Sequence, residues 1–159
     1  MNLTIHEVVD APIEQVFDVF SNFRDAADRV EGIKRVEMIT DGPIGLGSRF
    51  RETRVMFGRE ATEEMEITRF QPNKEYVVEA ESCGAHFQTV FRFRPEGDQT
   101  SVEMEMTTRA ITVMAKLMSP LSFMMAGTMK KCVLDDIRQL KQYCEAHDVV
   151  DAAAMAHGG

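Results

Sequence analysis

Hydrophobic and polar residues alternate along most of the first 110 positions, and this period of two is typical of β-strands with one buried face. In the segment 101–109, for example, Val102, Met104 and Met106 fall on one side and glutamates fall between them. Strands are predicted at 3–9, 33–40, 48–57, 60–70, 75–82, 86–94 and 101–109. Six of them follow one another through short connections, which predicts an antiparallel sheet because parallel pairing needs long crossovers.

Apolar residues at helical spacing replace this alternation in two places. Ile13, Val16, Phe17 and Phe20 predict a short helix after the first strand, and 23–30 predicts a second. A long helix is predicted after the last strand, with a restart at Ser119-Pro120 and an end near 146. The inner stripe of this helix is predicted to consist of Val133, Ile137, Leu140 and Cys144.

The hairpin around Gly58 carries charges on its apolar side. Taking Gly58-Arg59 as a two-residue loop places Arg54 opposite Glu63 and Glu52 opposite Met65. Because unpaired buried charges are costly, Glu52, Arg54 and Glu63 must then be paired or serve a ligand. The alternative is that the hairpin tip overhangs the helix and that water solvates all three.

Methionines are concentrated in the first half of the long helix, at Met114, Met118, Met124, Met125 and Met129. A methionine-rich wall adapts to varied ligands, although such a stripe is also compatible with an ordinary packed core.

The composition of the chain narrows the range of possible partners and sites. The 159 residues are 44% hydrophobic and have a net charge of −8, which argues against nucleic acid and against an anionic membrane surface as partners. No segment has the roughly 18 consecutive apolar residues that span a membrane, and no signal peptide is seen, so we expect no membrane insertion and a cytoplasmic location. The three cysteines form no Cys-x-x-Cys pair and the histidines lack ligand spacing, so no metal and no cofactor are expected. The oligomeric state stays open.

Four segments carry a resemblance to a known family. Asp-Ala-Pro-Ile-Glu-Gln-Val-Phe-Asp-Val-Phe at 10–20 resembles the opening of the START-like SRPBCC superfamily, which includes polyketide cyclase/dehydrase-like proteins. The segments 42–50, 67–72 and 140–145 resemble its glycine-rich turn, its fourth-strand ending and its helix close. Phe17 stands where the family usually has tryptophan, and Phe23-Arg24-Asp25-Ala26 replaces the motif of the coenzyme-Q-binding branch, which is therefore disfavoured.

The resemblance covers about 3–146 and implies an α+β helix-grip fold. In that fold a curved antiparallel sheet of about seven strands wraps around a long C-terminal helix, with two short helices between strands 1 and 2. Residues 1–147 are predicted to form a single START-like domain, and 148–159 a flexible C-terminal tail.

The expected function is binding of a hydrophobic small molecule, lipid or polyketide-like, in a cavity between sheet and helix. The predicted lining consists of Phe50, Glu52, Arg54, Met65, Phe91, Met104, Met106, Met114, Met118, Leu121 and Met125. The alternative is a polyketide cyclase/dehydratase-type enzyme in which Glu52, Glu63 or His86, the last at the cavity mouth, moves protons. A protein-interaction module is disfavoured by the charged outer face of the sheet.

Overall fold

The alternating segments form one antiparallel sheet in the computed structural model of the chain, which describes residues 2–56, 58–82, 84–117 and 119–157. Side chains are described in these ranges except at 56, 115, 117, 119–126 and 148–157. The strands are β1 (Asn2–Val9), β2 (Ile33–Met38), β3 (Arg49–Met56), β4 (Arg59–Gln71), β5 (Glu75–Ser82), β6 (Ala85–Glu96) and β7 (Gln99–Ala110). Their spatial order is β1-β7-β6-β5-β4-β3-β2, so the first strand pairs with the last.

Helices occur where the apolar spacing changes. Helix α1 (Ile13–Ser21), a 3₁₀ turn (Phe23–Asp25) and α2 (Ala26–Arg29) connect β1 to β2. After β7 come α3 (Val113–Leu117) and α4 (Ser119–His157), so α4 begins at the predicted restart. The seven-stranded antiparallel sheet, the long final helix and the short helices between β1 and β2 confirm the predicted fold class.

The end of α4 differs from the prediction. The sequence predicts a helix end near 146, whereas the helix continues to His157. The segment 148–157 contains neither glycine nor proline and includes four alanines, the strongest helix former. No helix in the described part of the chain is long and apolar enough to cross a membrane.

The β3–β4 hairpin has a different register from the predicted one. Met56 pairs with Arg59, and Glu52 lies opposite Glu63 rather than opposite Met65. Gly58, at φ 75°, thus lies between the paired residues Met56 and Arg59, and Arg59 belongs to β4 rather than to the loop. A register shift of two residues keeps every side chain on its face, so the predicted inner face is unchanged.

The β6–β7 pairing places an ion pair on the outer face of the sheet. Phe93 lies opposite Val102, and Arg92 lies opposite Glu103 on the outer face of the sheet. The Nη1 atom of Arg92 is 2.9 Å from a carboxylate oxygen of Glu103.

Aromatic rings fill the space between the sheet and α1. Phe17 packs edge-on against Phe93 at 5.1 Å between ring centroids, and Phe23 stacks on Phe50 at 4.7 Å. Farther along the inner face, Ile137 and Cys144 of α4 are buried against the sheet. The rings thus pack one part of the interior solidly.

The β5–β6 turn holds the start of α3. Gly84 has φ 75°, and its carbonyl accepts a hydrogen bond of 2.8 Å from the backbone of Ile111. A Cβ atom at Gly84 would collide with the side chain of Thr112. Only glycine therefore fits here without displacing the connection into α3.

Candidate functional site

A cavity of about 220 Å³ lies between the inner face of the sheet and α4. It exceeds the engineered apolar cavity of about 150 Å³ that binds benzene and is smaller than the roughly 300–1,000 Å³ of sites for drug-sized ligands. As it stands, it therefore suits a single ring or a short chain. Its described lining is Val19, Phe20, Asn22, Phe23, Ala26, Val30, Ile33, Glu52, Arg54, Glu63, Met65, Tyr76, Val78, Ala80, Phe87, Thr89, Phe91, Met106, Met129, Cys132, Val133, Asp136, Ile137 and Leu140.

Small residues on the sheet leave this space open. Ala80 of β5 lies between its cross-strand partners Met65 and Phe87, and Thr89 of β6 lies opposite Met106. Because cross-strand neighbours share a face, a short side chain among long ones leaves a hollow in the inner surface. The hollow faces α4.

Helix α4 supplies the opposite wall. Its lining residues are three or four positions apart, a spacing that places them on one face of a helix. They are Met129, Cys132, Val133, Asp136, Ile137 and Leu140. Five of the six are uncharged, and the exception is a carboxylate that faces the sheet.

That carboxylate completes an ion-pair cluster with two residues of β3. The Nε atom of Arg54 is 3.0 Å from Oε1 of Glu52, and its Nη2 atom is 2.8 Å from Oδ2 of Asp136. The side chains of Glu52, Arg54 and Asp136 are 10%, 19% and 20% exposed, respectively. The three charges are thus largely removed from water and connect the sheet to the helix, which rules out the alternative of a fully solvated hairpin tip.

Glu63 adds a third carboxylate. It lies directly opposite Glu52 across the β3–β4 ladder and lines the cavity. It is half-buried, and its carboxyl group forms no ion pair or hydrogen bond with any residue that the structure describes. The described lining therefore contains three carboxyl groups and one basic group.

The cluster shifts the pKa of its members. Burial raises the pKa of Glu52, and Arg54 offsets this only in part while Asp136 and Glu63 add to it. Burial also raises the pKa of Asp136, again against the opposing effect of Arg54. For Arg54, burial acts to lower the pKa, but Glu52 and Asp136 together outweigh it and raise the pKa. The guanidinium stays charged, whereas the carboxyls hold protons more readily than usual.

Tyr76 provides a further buried polar group in the wall. Its hydroxyl donates a hydrogen bond of 3.0 Å to the carbonyl of Phe20 at the end of α1. Burial raises the pKa of Tyr76, so the phenol remains neutral. Its ring stacks on Phe91 at 5.0 Å.

The structure brings together six of the residues considered from the sequence as ligand-binding or catalytic. Those that line the cavity are Glu52, Arg54, Glu63, Met65, Phe91 and Met106. Two others, Phe50 and Met104, are completely buried in the core and do not reach the cavity. For Phe50 the reason is the stacking of Phe23 over its ring.

The structure departs most from the prediction at the N-terminal part of the predicted helix wall. Met114 is 72% exposed on α3 and does not line the cavity. Met118 lies outside the described residues, as do the side chains of Leu121 and Met125. The described helix wall begins at Met129.

His86 lies on the outer face of the sheet, which corrects the prediction that it occupies the cavity mouth. It precedes Phe87, which lines the cavity, so strand alternation directs His86 outward. There its Nε2 atom is 2.9 Å from Oε1 of Glu79.

Sequence reasoning missed Asp136 and Tyr76. Asp136 could have been found, because it lies three residues after Val133 and four before Leu140, both in the predicted inner stripe. Tyr76 shares its face with Val78 and Ala80, so the alternation in β5 contained the signal.

Comparison with known proteins places this geometry in context. The model of the family described as polyketide cyclase / dehydrase and lipid transport matches residues 2–145. No curated protein matches the chain.

Solved structures share the fold at low sequence identity. A protein from Thermus thermophilus is 16% identical with a TM-score of 0.75, over 92% of this chain and 99% of that one. The Zhui aromatase/cyclase from a Streptomyces species is 14% identical with a TM-score of 0.75, over 91% and 93%. A START superfamily protein from Mycobacterium smegmatis is 15% identical with a TM-score of 0.71, over 91% and 97%. At these identities the likeness shows the fold alone, and with the family match it confirms the START-like resemblance found in the sequence.

Proposed function

Because the chain belongs to the polyketide cyclase / dehydrase and lipid transport family, we propose that it binds a hydrophobic small molecule in the cavity between the sheet and α4. The ligand is lipid or polyketide-like in character, with a ring or short chain that enters the cavity. The observation that carries the proposal is the cavity of about 220 Å³ with a largely apolar lining. Burial there contributes about 25 cal/mol per Å² of apolar surface before ordering costs are subtracted.

The size of Ala80 allows a direct test. Ala80→Phe would fill the space that this residue leaves between Met65 and Phe87. We expect the unmodified protein to bind a small neutral aromatic such as toluene, detected by ligand-observed NMR, and the filled variant to lose that binding while its far-UV spectrum is retained. Equal binding by both proteins would place the ligand elsewhere.

Native mass spectrometry of the freshly purified protein complements this test. A lipophilic species that co-purifies with the unmodified chain and is absent from Ala80→Phe would identify the class of natural ligand. A species bound equally by both would not belong to this cavity.

A specific observation also favours an enzyme of the cyclase/dehydratase type as a second candidate. Glu52 has a raised pKa and lies in an apolar cavity beside a permanent cation, Arg54. A carboxyl that retains its proton can protonate a departing hydroxyl so that water leaves, and the opposite Glu63 can accept the proton lost from the adjacent carbon. The guanidinium would stabilise negative charge on a neighbouring carbonyl oxygen.

Glu52→Gln separates the two candidates. The amide keeps the size and most of the hydrogen bonding of the carboxyl but cannot donate an acidic proton. A binding protein should keep most of its affinity for a neutral ligand, whereas an enzyme should lose about 10²–10⁴-fold in turnover.

A further inference from the structure

We propose that the charged part of this cavity selects ligands whose polar end is a cation, an alkyl- or arylalkylammonium group, and rejects ligands that end in a carboxylate. The inference rests on the proposed function, because it specifies which ligand the same cavity accepts. It follows from the charges that face the cavity and from the contacts that each already makes.

The charges facing the cavity do not balance. The part of the wall that the structure describes has three carboxyl groups, those of Glu52, Glu63 and Asp136, and one guanidinium, that of Arg54. Arg54 is the only basic side chain in the described lining. A ligand cation would reduce this excess of negative charge, and a ligand anion would increase it.

The positive charge of Arg54 is already engaged in ion pairs within the protein. Two nitrogen atoms of Arg54 are engaged, Nε with Glu52 at 3.0 Å and Nη2 with Asp136 at 2.8 Å. A carboxylate entering the cavity would therefore compete with two carboxylates that are fixed on β3 and α4. From the sequence alone, Arg54 would suggest a site for the carboxylate of a fatty acid. In the structure, Glu52 and Asp136 already neutralise its charge.

Of the carboxyl groups in the described lining, that of Glu63 is the one without an ion-pair or hydrogen-bond partner. It faces Glu52 directly across the ladder, and like charges in this position repel each other. The carboxyl oxygens of Glu63 can accept several hydrogen bonds, and the described residues donate none to them. An ammonium group has three N–H donors and no acceptor, so it can bond both carboxylates and remove their repulsion.

The remaining lining determines the other end of the ligand. Next to the charged cluster lie apolar side chains such as Met65, Val133 and Leu140, and the rings of Phe91 and Tyr76 are also in the wall. An apolar body joined to one ammonium group therefore matches the cavity, whereas a molecule with several charges does not.

Three probes that share an eight-carbon aromatic skeleton test the inference: phenethylamine, phenethyl alcohol and phenylacetate. They are titrated into the full chain near neutral pH, and binding is measured by calorimetry or ligand-observed NMR. We expect the amine to bind at least about tenfold more tightly than the alcohol, and the carboxylate to bind more weakly than the alcohol. A carboxylate that binds as tightly as the alcohol or more tightly would overturn the inference, while binding of the alcohol would leave the proposed function standing.

Glu63→Gln provides the matched variant. It removes the unpaired charge, and we expect affinity for phenethylamine to fall about tenfold while affinity for phenethyl alcohol stays within about twofold. Glu66→Gln on the outward face of the same strand is the control and should leave both unchanged. An amine preference that survives Glu63→Gln in full would overturn the assignment to this carboxylate. Absence of binding by all three probes would contradict the proposed function and the inference with it.

Discussion

Replacing Arg54 by methionine should reveal how strongly the interior depends on one cation. The change keeps a long side chain of similar reach but leaves Glu52 and Asp136 without their shared partner. Removing one partner of a buried ion pair destabilises a protein by about 3–5 kcal/mol, because the remaining charge is uncompensated. Since Arg54 and Asp136 are still 19% and 20% exposed, we expect about 3 kcal/mol near neutral pH, the low end of that range.

The cost should depend on pH in a defined direction. Without Arg54, burial acts unopposed on Glu52 and Asp136, so the pKa of each in the folded state rises further above its ordinary value of 4.5 or 3.8. A carboxyl with a raised folded pKa stabilises the fold below its unfolded pKa and loses that contribution as pH rises through the folded value. The deficit of Arg54→Met should therefore be largest near neutral pH and shrink toward pH ~5.

Urea denaturation at about pH 7 and about pH 5 measures both effects. With a typical slope of about 2 kcal/mol per molar, the midpoint should fall by about 1.5 M near neutral pH. Arg51→Met, on the exposed face of the same strand, is the matched control and should change stability by no more than about 0.5 kcal/mol. An Arg54→Met variant as stable as the control, or equally destabilised at both pH values, would refute the reasoning.

Three further outcomes can be checked in the same denaturation assay. Because the folded pKa of Glu52 is raised, the stability of Glu52→Gln relative to the unmodified protein should improve as pH rises from 4.5, and a decline would contradict the shift. Gly84→Ala should cost at least about 1–2 kcal/mol, since it combines a left-handed backbone with a collision at Thr112, and a neutral effect would show that α3 moves freely. Tyr76→Phe should cost about 1–3 kcal/mol because the carbonyl of Phe20 loses its donor, and an unchanged midpoint would mean that water replaces the hydroxyl.

The sheet could be predicted from the sequence because the alternation of apolar and polar residues assigns faces correctly even where the register is wrong. The β3–β4 register was wrong by two residues, yet Glu52, Arg54 and Glu63 were assigned to the correct face since alternation is unchanged by an even shift. The loop itself could not be fixed, because Gly58 suits either the first or the second position of a two-residue turn. Face and register are thus separate predictions, and only the face was secure.

The cavity was harder to predict than the sheet. Its helix wall was expected at the methionine-rich start of the long helix, whereas the described wall starts at Met129 and includes Asp136. The methionine content shows which stretch of the helix could adapt to a ligand. It does not show which turn of the helix lies over the hollow in the sheet, because that depends on where the helix crosses the sheet. The backbone hydrogen bond from Ile111 to Gly84 joins the connection before α3 to the β5–β6 turn, and local periodicity contains no signal for such a long-range contact.

The pairing of β1 with β7 has a consequence for how the protein is made. Asn2 lies opposite Thr107 and Val9 lies opposite Thr100, so the first strand of this sheet pairs with a strand that is synthesised about a hundred residues later. While the ribosome is still adding the middle strands, Leu3, Ile5 and Val9 have no surface to cover them. Contacts between segments so far apart in the chain slow folding, and until they form, the apolar side chains of the first strand stay exposed.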